Sequence, residues 1–203
     1  LHQIPAPERV DSMRMSFLGY FNCDEPCFGQ GGRLKKNPTI GDIKTRISPP
    51  ARKQVFWKNT PLTVGTISTE PGLRNLSNPP PGVDLAEIRL DLLLSRGVEP
   101  EKILEAMAKK ELPILLTLRT REEGGAFNWR SRQRVLFFLA FLPFADVVDL
   151  ELTNLPRLGR VLRAVRRSKR DLVLSSHSLK RKLTPLRFKR LLNEFRKTRA
   201  AVY

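Results

Sequence analysis

Across residues 112–125 the chain reads LPILLTLRTREEGG, an apolar run that turns abruptly into charge and then a double glycine. A short apolar run, broken only by Pro113 and Thr117, suits a strand covered on both faces, as in a parallel sheet. Arg119, Arg121, Glu122 and Glu123 follow it, so ionisable groups collect at the strand's carboxyl end. In α/β folds that end faces the site. A polar turn after a hydrophobic strand would explain one such segment, but not a design that recurs along the chain.

Residues 85–94, LAEIRLDLLL, alternate as a strand does, with Glu87, Arg89 and Asp91 on one side and Ile88, Leu90 and Leu92 on the other. Charges inside a strand are expensive unless they meet in a wet, paired site. Residues 146–153, DVVDLELT, carry Asp149 and Glu151 two apart, and residues 171–176, DLVLSS, run into His177. Residues 61–69, PLTVGTIST, give the first strand signal, β-branched and bounded by Pro71-Gly72. Helical stretches separate the strands at 100–110, 131–142, 155–167 and 185–198, and 200–203 starts another short strand. Strands alternating with helices imply a parallel sheet with right-handed crossovers. Both a doubly wound sheet and a barrel fit. The first strand is not followed by G-x-G-x-x-G, and charges end several strands, which favours the barrel.

The expected fold is therefore α/β, an incomplete (β/α)8 TIM barrel over residues 61–203, which fall short of the ~200–250 residues a full barrel uses. Residues 1–60 read as an irregular, disordered extension, with scattered prolines, Gly-Gln-Gly-Gly at 29–32 and a linker around 47–58. Cys23 and Cys27 are too few for a disulfide framework and have no second ligand pair, so no metal is expected and a reducing cytoplasm is the default location. No apolar stretch is long enough for a membrane span, and no secretory signal opens the chain. The formal charge of +17 lies mostly in residues 154–203, where 16 Lys or Arg face two acids. A solvated basic face accounts for that, and nucleic acid is a possible but less favoured partner because no recognised nucleic-acid motif accompanies the charge.

Glu87-Ile88-Arg89-Leu90-Asp91 resembles the E-x-R-x-D strand of type I 3-dehydroquinate dehydratases, and residues 118–125 resemble their F-R-x-x-x-E-G-G stretch. Asp149-Leu150-Glu151 is similar to the family's D-x-E strand, and Ser175-Ser176-His177 to the S-x-H turn bearing the catalytic histidine. The resemblance implies a (β/α)8 lyase of the shikimate pathway, and thus of aromatic amino acid biosynthesis. It would convert 3-dehydroquinate to 3-dehydroshikimate through a lysine Schiff base, with no metal or organic cofactor, and such enzymes are often homodimers. It makes His177 the proton shuttle and Glu123 the group that orients it, while Glu87, Arg89 and Arg119 bind substrate hydroxyls. The chemistry fits these types: an imine is the electron sink, and a histidine titrates near neutrality.

The chain departs from the family at Ser178 and Leu179, where aspartate and phenylalanine are usual. The Schiff-base lysine is expected just past Tyr203, and Lys180, Lys182, Lys189 and Lys197 fall on a loop or a helix. This reading takes the chain as truncated before its nucleophile. The alternatives are a catalytically inactive barrel homologue and a basic nucleic-acid-binding protein.

Overall fold

The computed structural model describes residues 47–55, 57, 61–179, 182–198 and 200–201, together with the strand Gly19–Phe21. That strand, β1, is followed by β2 Thr63–Ile67, β3 Leu85–Arg89, β4 Ile114–Thr117, β5 Val147–Glu151 and β6 Asp171–Ser175. All neighbours pair in parallel, and the order in the sheet is the order in the chain. A doubly wound sheet reverses its order at a switch point. This one never does, so the barrel reading holds and the doubly wound one falls. Five α-helices accompany the strands among the described residues: α1 Leu90–Ser95, α2 Pro100–Ala108, α3 Ser131–Phe141, α4 Gly159–Arg167 and α5 Pro185–Arg196. None is long and apolar enough to cross a membrane.

The pleat sorts side chains into two sets. Ile67, Ile88, Leu116, Val148, Leu150, Leu172 and Leu174 face the helices and pack with Leu104, Met107, Phe137, Phe138, Phe141 and Val161 in the main core. The alternate residues face the barrel axis. At its amino end Val64, Leu85, Leu115, Val147 and Val173 form a second apolar cluster, closed by Val55 and packed against by Trp57. Toward the carboxyl end the same rows carry Glu87, Thr117, Asp149 and Glu151, all buried. A row that begins apolar and ends charged puts the polar groups at one rim.

Three elements differ from the sequence expectation. The strand beginning at Leu85 stops at Arg89, and Asp91 lies in the first turn of α1. Leu90, Leu93 and Leu94 bury at helical spacing, and an acid in the first turn suits the helix dipole, so the 3.6 period overrides the apparent alternation. The helix expected over 155–167 begins at Gly159, because a 3-10 turn, Leu152–Leu158, contains Pro156. Proline removes an amide donor and clashes with the preceding turn. Ala200 and Ala201 form no strand, although Ala201 N donates to Leu172 O at 2.8 Å, while Val202 and Tyr203 lie outside the described residues.

Two pieces of the supposed extension join the barrel. β1 pairs with β2 over Gly19 to Phe21, a strand too short to carry a periodic signal. The segment read as a linker closes the amino end: Lys53 N donates to Asp146 Oδ1 (2.7 Å), and Trp57 Nε1 and Arg52 reach Asp171 at 3.0 and 3.3 Å. Asp146 is fully buried; its other oxygen accepts Ile114 N (2.8 Å) and the ammonium of Lys110, which also donates to Phe144 O (3.1 Å). Burial lowers the Lys110 pKa despite that partner. Removing one member of a buried pair strands the other, so Asp146→Ala is expected to cost about 3–5 kcal/mol. Urea denaturation reads this, and a loss below about 1 kcal/mol would contradict the role given to the pair.

Candidate active site

The loop that follows β4 is shaped by its glycines. Gly124 has φ +91°, and a Cβ on Gly125 would lie 2.0 Å from Arg119 O. Gly125 N donates to Thr120 O (2.7 Å), folding the chain back against itself. This tight turn, with the 3-10 turn Arg121–Glu123 inside it, aims Glu123 inward, where it is 6% exposed.

Glu123 meets His177, which lies just past the end of β6. Glu123 Oε2 accepts His177 Nδ1 at 3.0 Å and the His177 backbone N at 3.1 Å, while Oε1 accepts Thr153 Oγ1 at 2.6 Å. Burial on its own would raise the Glu123 pKa. The hydrogen bonds from His177 and Thr153 outweigh it and hold the carboxyl below its usual value. An ionised Glu123 requires Nδ1 to carry a proton, which leaves Nε2 as the nitrogen able to take up or release one. The His177 side chain is 30% exposed, so that nitrogen belongs to a ring within reach of a solute.

The other predicted residues surround this pair on the same rim. Arg89 clasps Asp91 with two bonds of 3.0 and 2.9 Å and reaches Gly124 O at 3.4 Å. Burial works against the Arg89 charge, but Asp91 prevails and the guanidinium pKa is raised. Glu87 accepts Thr66 Oγ1 at 2.8 Å. Arg119 approaches Asp149 at 3.3 Å, and burial pushes the Asp149 carboxyl up against the pull of Arg119. Thus His177, Glu123, Glu87, Arg89 and Arg119 all stand at the carboxyl end of the barrel, delivered by β3, β4 and β6. Cys23, Cys27 and His2 lie outside the described residues.

Sequence reasoning picked out Glu151 only as part of the D-x-E strand and missed Arg134 and Thr153, which help to hold these residues in place. Glu151 accepts Thr120 N (2.7 Å), Arg134 Nη2 (2.8 Å) and Asn154 Nδ2 (2.7 Å), and it is buried. Arg134 reads as one more basic residue near the start of α3, yet it is 3% exposed and also bonds Leu118 O at 2.7 Å. Thr153 carries no sequence signal either, since its partner is 30 residues away.

Compared with known proteins, the chain matches the family model described as type I 3-dehydroquinase over residues 62–203. It is 33% identical over 102 residues to the 3-dehydroquinate dehydratase of Methanosarcina mazei, covering 47% of this chain and 42% of that protein. The Methanosarcina barkeri enzyme of the same name is 31% identical over 119 residues, covering 56% and 49%. The chain spans about half the length of the curated relatives it matches. Among solved structures, the 3-dehydroquinate dehydratase of Enterococcus faecalis aligns with a TM-score of 0.55 at 21% identity, over 68% of this chain and 62% of that one. That of Aquifex aeolicus gives 0.55 at 22%, over 70% and 66%. At such identities these two show the barrel fold alone.

Two outcomes follow from the geometry. Gly125→Ala forces a Cβ into Arg119 O, so a stability loss of about 2 kcal/mol or more is expected on urea denaturation. A carboxyl whose folded pKa lies below its unfolded value of ~4.3 adds stability that is complete above that value and lost as pH falls through the folded one. Glu123→Gln should therefore be less stable at neutral pH and lose less on acidification. Asp149, shifted upward, contributes the opposite slope in both proteins and cancels in the comparison. Parallel stability curves for the two proteins on the acid side would refute the Glu123 assignment.

Proposed function

Because the chain belongs to the type I 3-dehydroquinase family, we propose that its barrel rim binds 3-dehydroquinate and serves its dehydration to 3-dehydroshikimate. The observation that carries this reading is the Glu123–His177 pair: a buried carboxylate held on a half-buried imidazole at 3.0 Å, with arginines on either side. Dehydration removes a proton from the carbon beside the ketone and expels a β-hydroxyl. His177 Nε2 is suited to take the proton and to return one to the departing hydroxyl, which leaves as water. Glu123 stabilises the imidazolium between the two transfers. Arg89 keeps one guanidinium edge on Asp91, so its remaining donors serve neutral hydroxyls, as do those of Arg119.

A lysine imine as the electron sink, a cytoplasmic place in the shikimate pathway and a homodimer belong to the same reading. A second reading, a barrel relative that binds the ketone without turning it over, is supported by Ser178 and Leu179, which stand where the family usually has aspartate and phenylalanine.

The chain has two histidines, so the ring signals of His177 are easily followed by NMR. Titration with 3-dehydroquinate should shift them saturably and leave those of His2 in place. Arg119→Ala should weaken binding by about 10- to 100-fold, the range for a hydrogen bond from a charged donor. No perturbation of His177 at millimolar ligand would refute the proposal. Borohydride reduction separates the two readings once the chain is expressed together with the coding sequence that continues past Tyr203: a covalent adduct supports the dehydratase, and binding without an adduct supports the inactive relative.

A further inference from the structure

We propose that Thr153 is the positioning residue that keeps Glu123 on His177, its hydroxyl holding one carboxylate oxygen so that the other stays on the histidine. The inference deepens the dehydratase reading and rests on it for its purpose, but its geometry stands on this chain's own contacts.

A glutamate carboxylate turns easily about its last torsion, which has broad preferences. Here a single oxygen, Oε2, accepts both the Nδ1 and the backbone N of His177, so rotation of the carboxylate breaks both bonds together. The bond from Thr153 Oγ1 to Oε1, at 2.6 Å, resists that rotation from the opposite side. Threonine suits the task because its branched Cβ restricts χ1. Its place is set by the 3-10 turn Leu152–Leu158 that follows β5. The next residue, Asn154, gives its amide to Glu151 at 2.7 Å, so adjacent side chains serve two different carboxylates. Three successive strand ends thus meet at Glu123: its own after β4, Thr153 after β5 and His177 after β6.

The hydroxyl also helps keep Glu123 ionised within its buried surroundings. The other charged groups of this rim are His177 beyond β6, Glu87 of β3, Arg89 with Asp91, Arg119 with Asp149 between β4 and β5, Arg134 with Glu151, and Arg121 and Glu122 of the same turn. None of them is altered by substituting Thr153.

The test needs no substrate, so its failure is separate from failure of the dehydratase reading. In the uniformly labelled chain, the His177 amide reports the bond it donates to Glu123 Oε2. Thr153→Val keeps the side chain's shape and removes the donor. At neutral pH the His177 amide proton should move upfield in this variant, and its protection from solvent exchange should fall about tenfold, the scale of one net hydrogen bond. Its acid titration midpoint should move to higher pH. Thr153→Ser should restore all three, and Thr153→Ala should behave as the valine variant. A purely structural threonine would alter the melting temperature and leave the His177 amide as it is. A valine variant with the wild-type amide shift and exchange rate overturns the proposal.

Discussion

Donors from three parts of the fold converge on the buried carboxylate of Glu151, and the candidate site depends on them. The Thr120 backbone and hydroxyl, the Arg134 guanidinium and the Asn154 amide all bond it, at 2.7 to 3.1 Å. One end of this network holds the loop that carries Arg119 and Glu123, and the other holds the turn that carries Thr153. Arg134 adds a bond to Leu118 O, so α3 is fastened to the end of β4 by the same guanidinium. A buried ion pair contributes little net stability once desolvation is counted, but losing one partner is costly. The value of Glu151 therefore lies in geometry: it makes one position of the loop far better than any other.

The pleat gives that geometry its direction. Alternate residues of each strand face the axis, so one set of positions builds both the apolar floor and the polar rim. Val64, Leu85, Leu115, Val147 and Val173 close the amino end together with Val55. Two or four residues further along, the same faces present Thr66, Glu87, Arg89, Thr117, Asp149 and Glu151. The floor keeps water out beneath the charges, which strengthens every pairing above it. At the opposite end Asp146 performs a parallel service, tying Lys110, Lys53 N and Ile114 N together. Acids thus anchor both ends of the barrel, and only those at the rim stand beside a titratable ring.

The positive charge of the chain belongs to a different layer. On α4 Arg160, Arg163, Arg166 and Arg167 are exposed, as are Arg187, Lys189, Arg190 and Arg196 on α5. These helices bury Val161, Val165 and Phe195 against the core and leave their basic faces to solvent. The rim, by contrast, sets three arginines against carboxylates. Arg89 meets Asp91, Arg119 meets Asp149 and Arg134 meets Glu151. Net charge consequently says much about the outer surface and little about the site.

Read alone, the sequence determined the alternation of strand and helix and the parallel sheet, with charges gathered at strand ends. Those are local properties, since a run of apolar residues ending in charge defines a strand and its carboxyl end without knowledge of its neighbours, whereas His177, Glu123, Glu87, Arg89 and Arg119 were picked out by the family resemblance of their motifs. The end of β3 was not legible, because LDLLLS satisfies two periods at once and only burial of Leu90, Leu93 and Leu94 against the core chooses the helix. Nor was the docking of Arg52, Lys53 and Trp57, which acquire meaning only when Asp146 and Asp171 are brought beneath them. Tertiary structure alone decided which partner each charge takes: Thr153 and Glu123 are 30 residues apart, and Glu123 and His177 are 54. Pairing at such separations is set by how adjacent strand ends register in the parallel sheet, and no window of sequence contains that register.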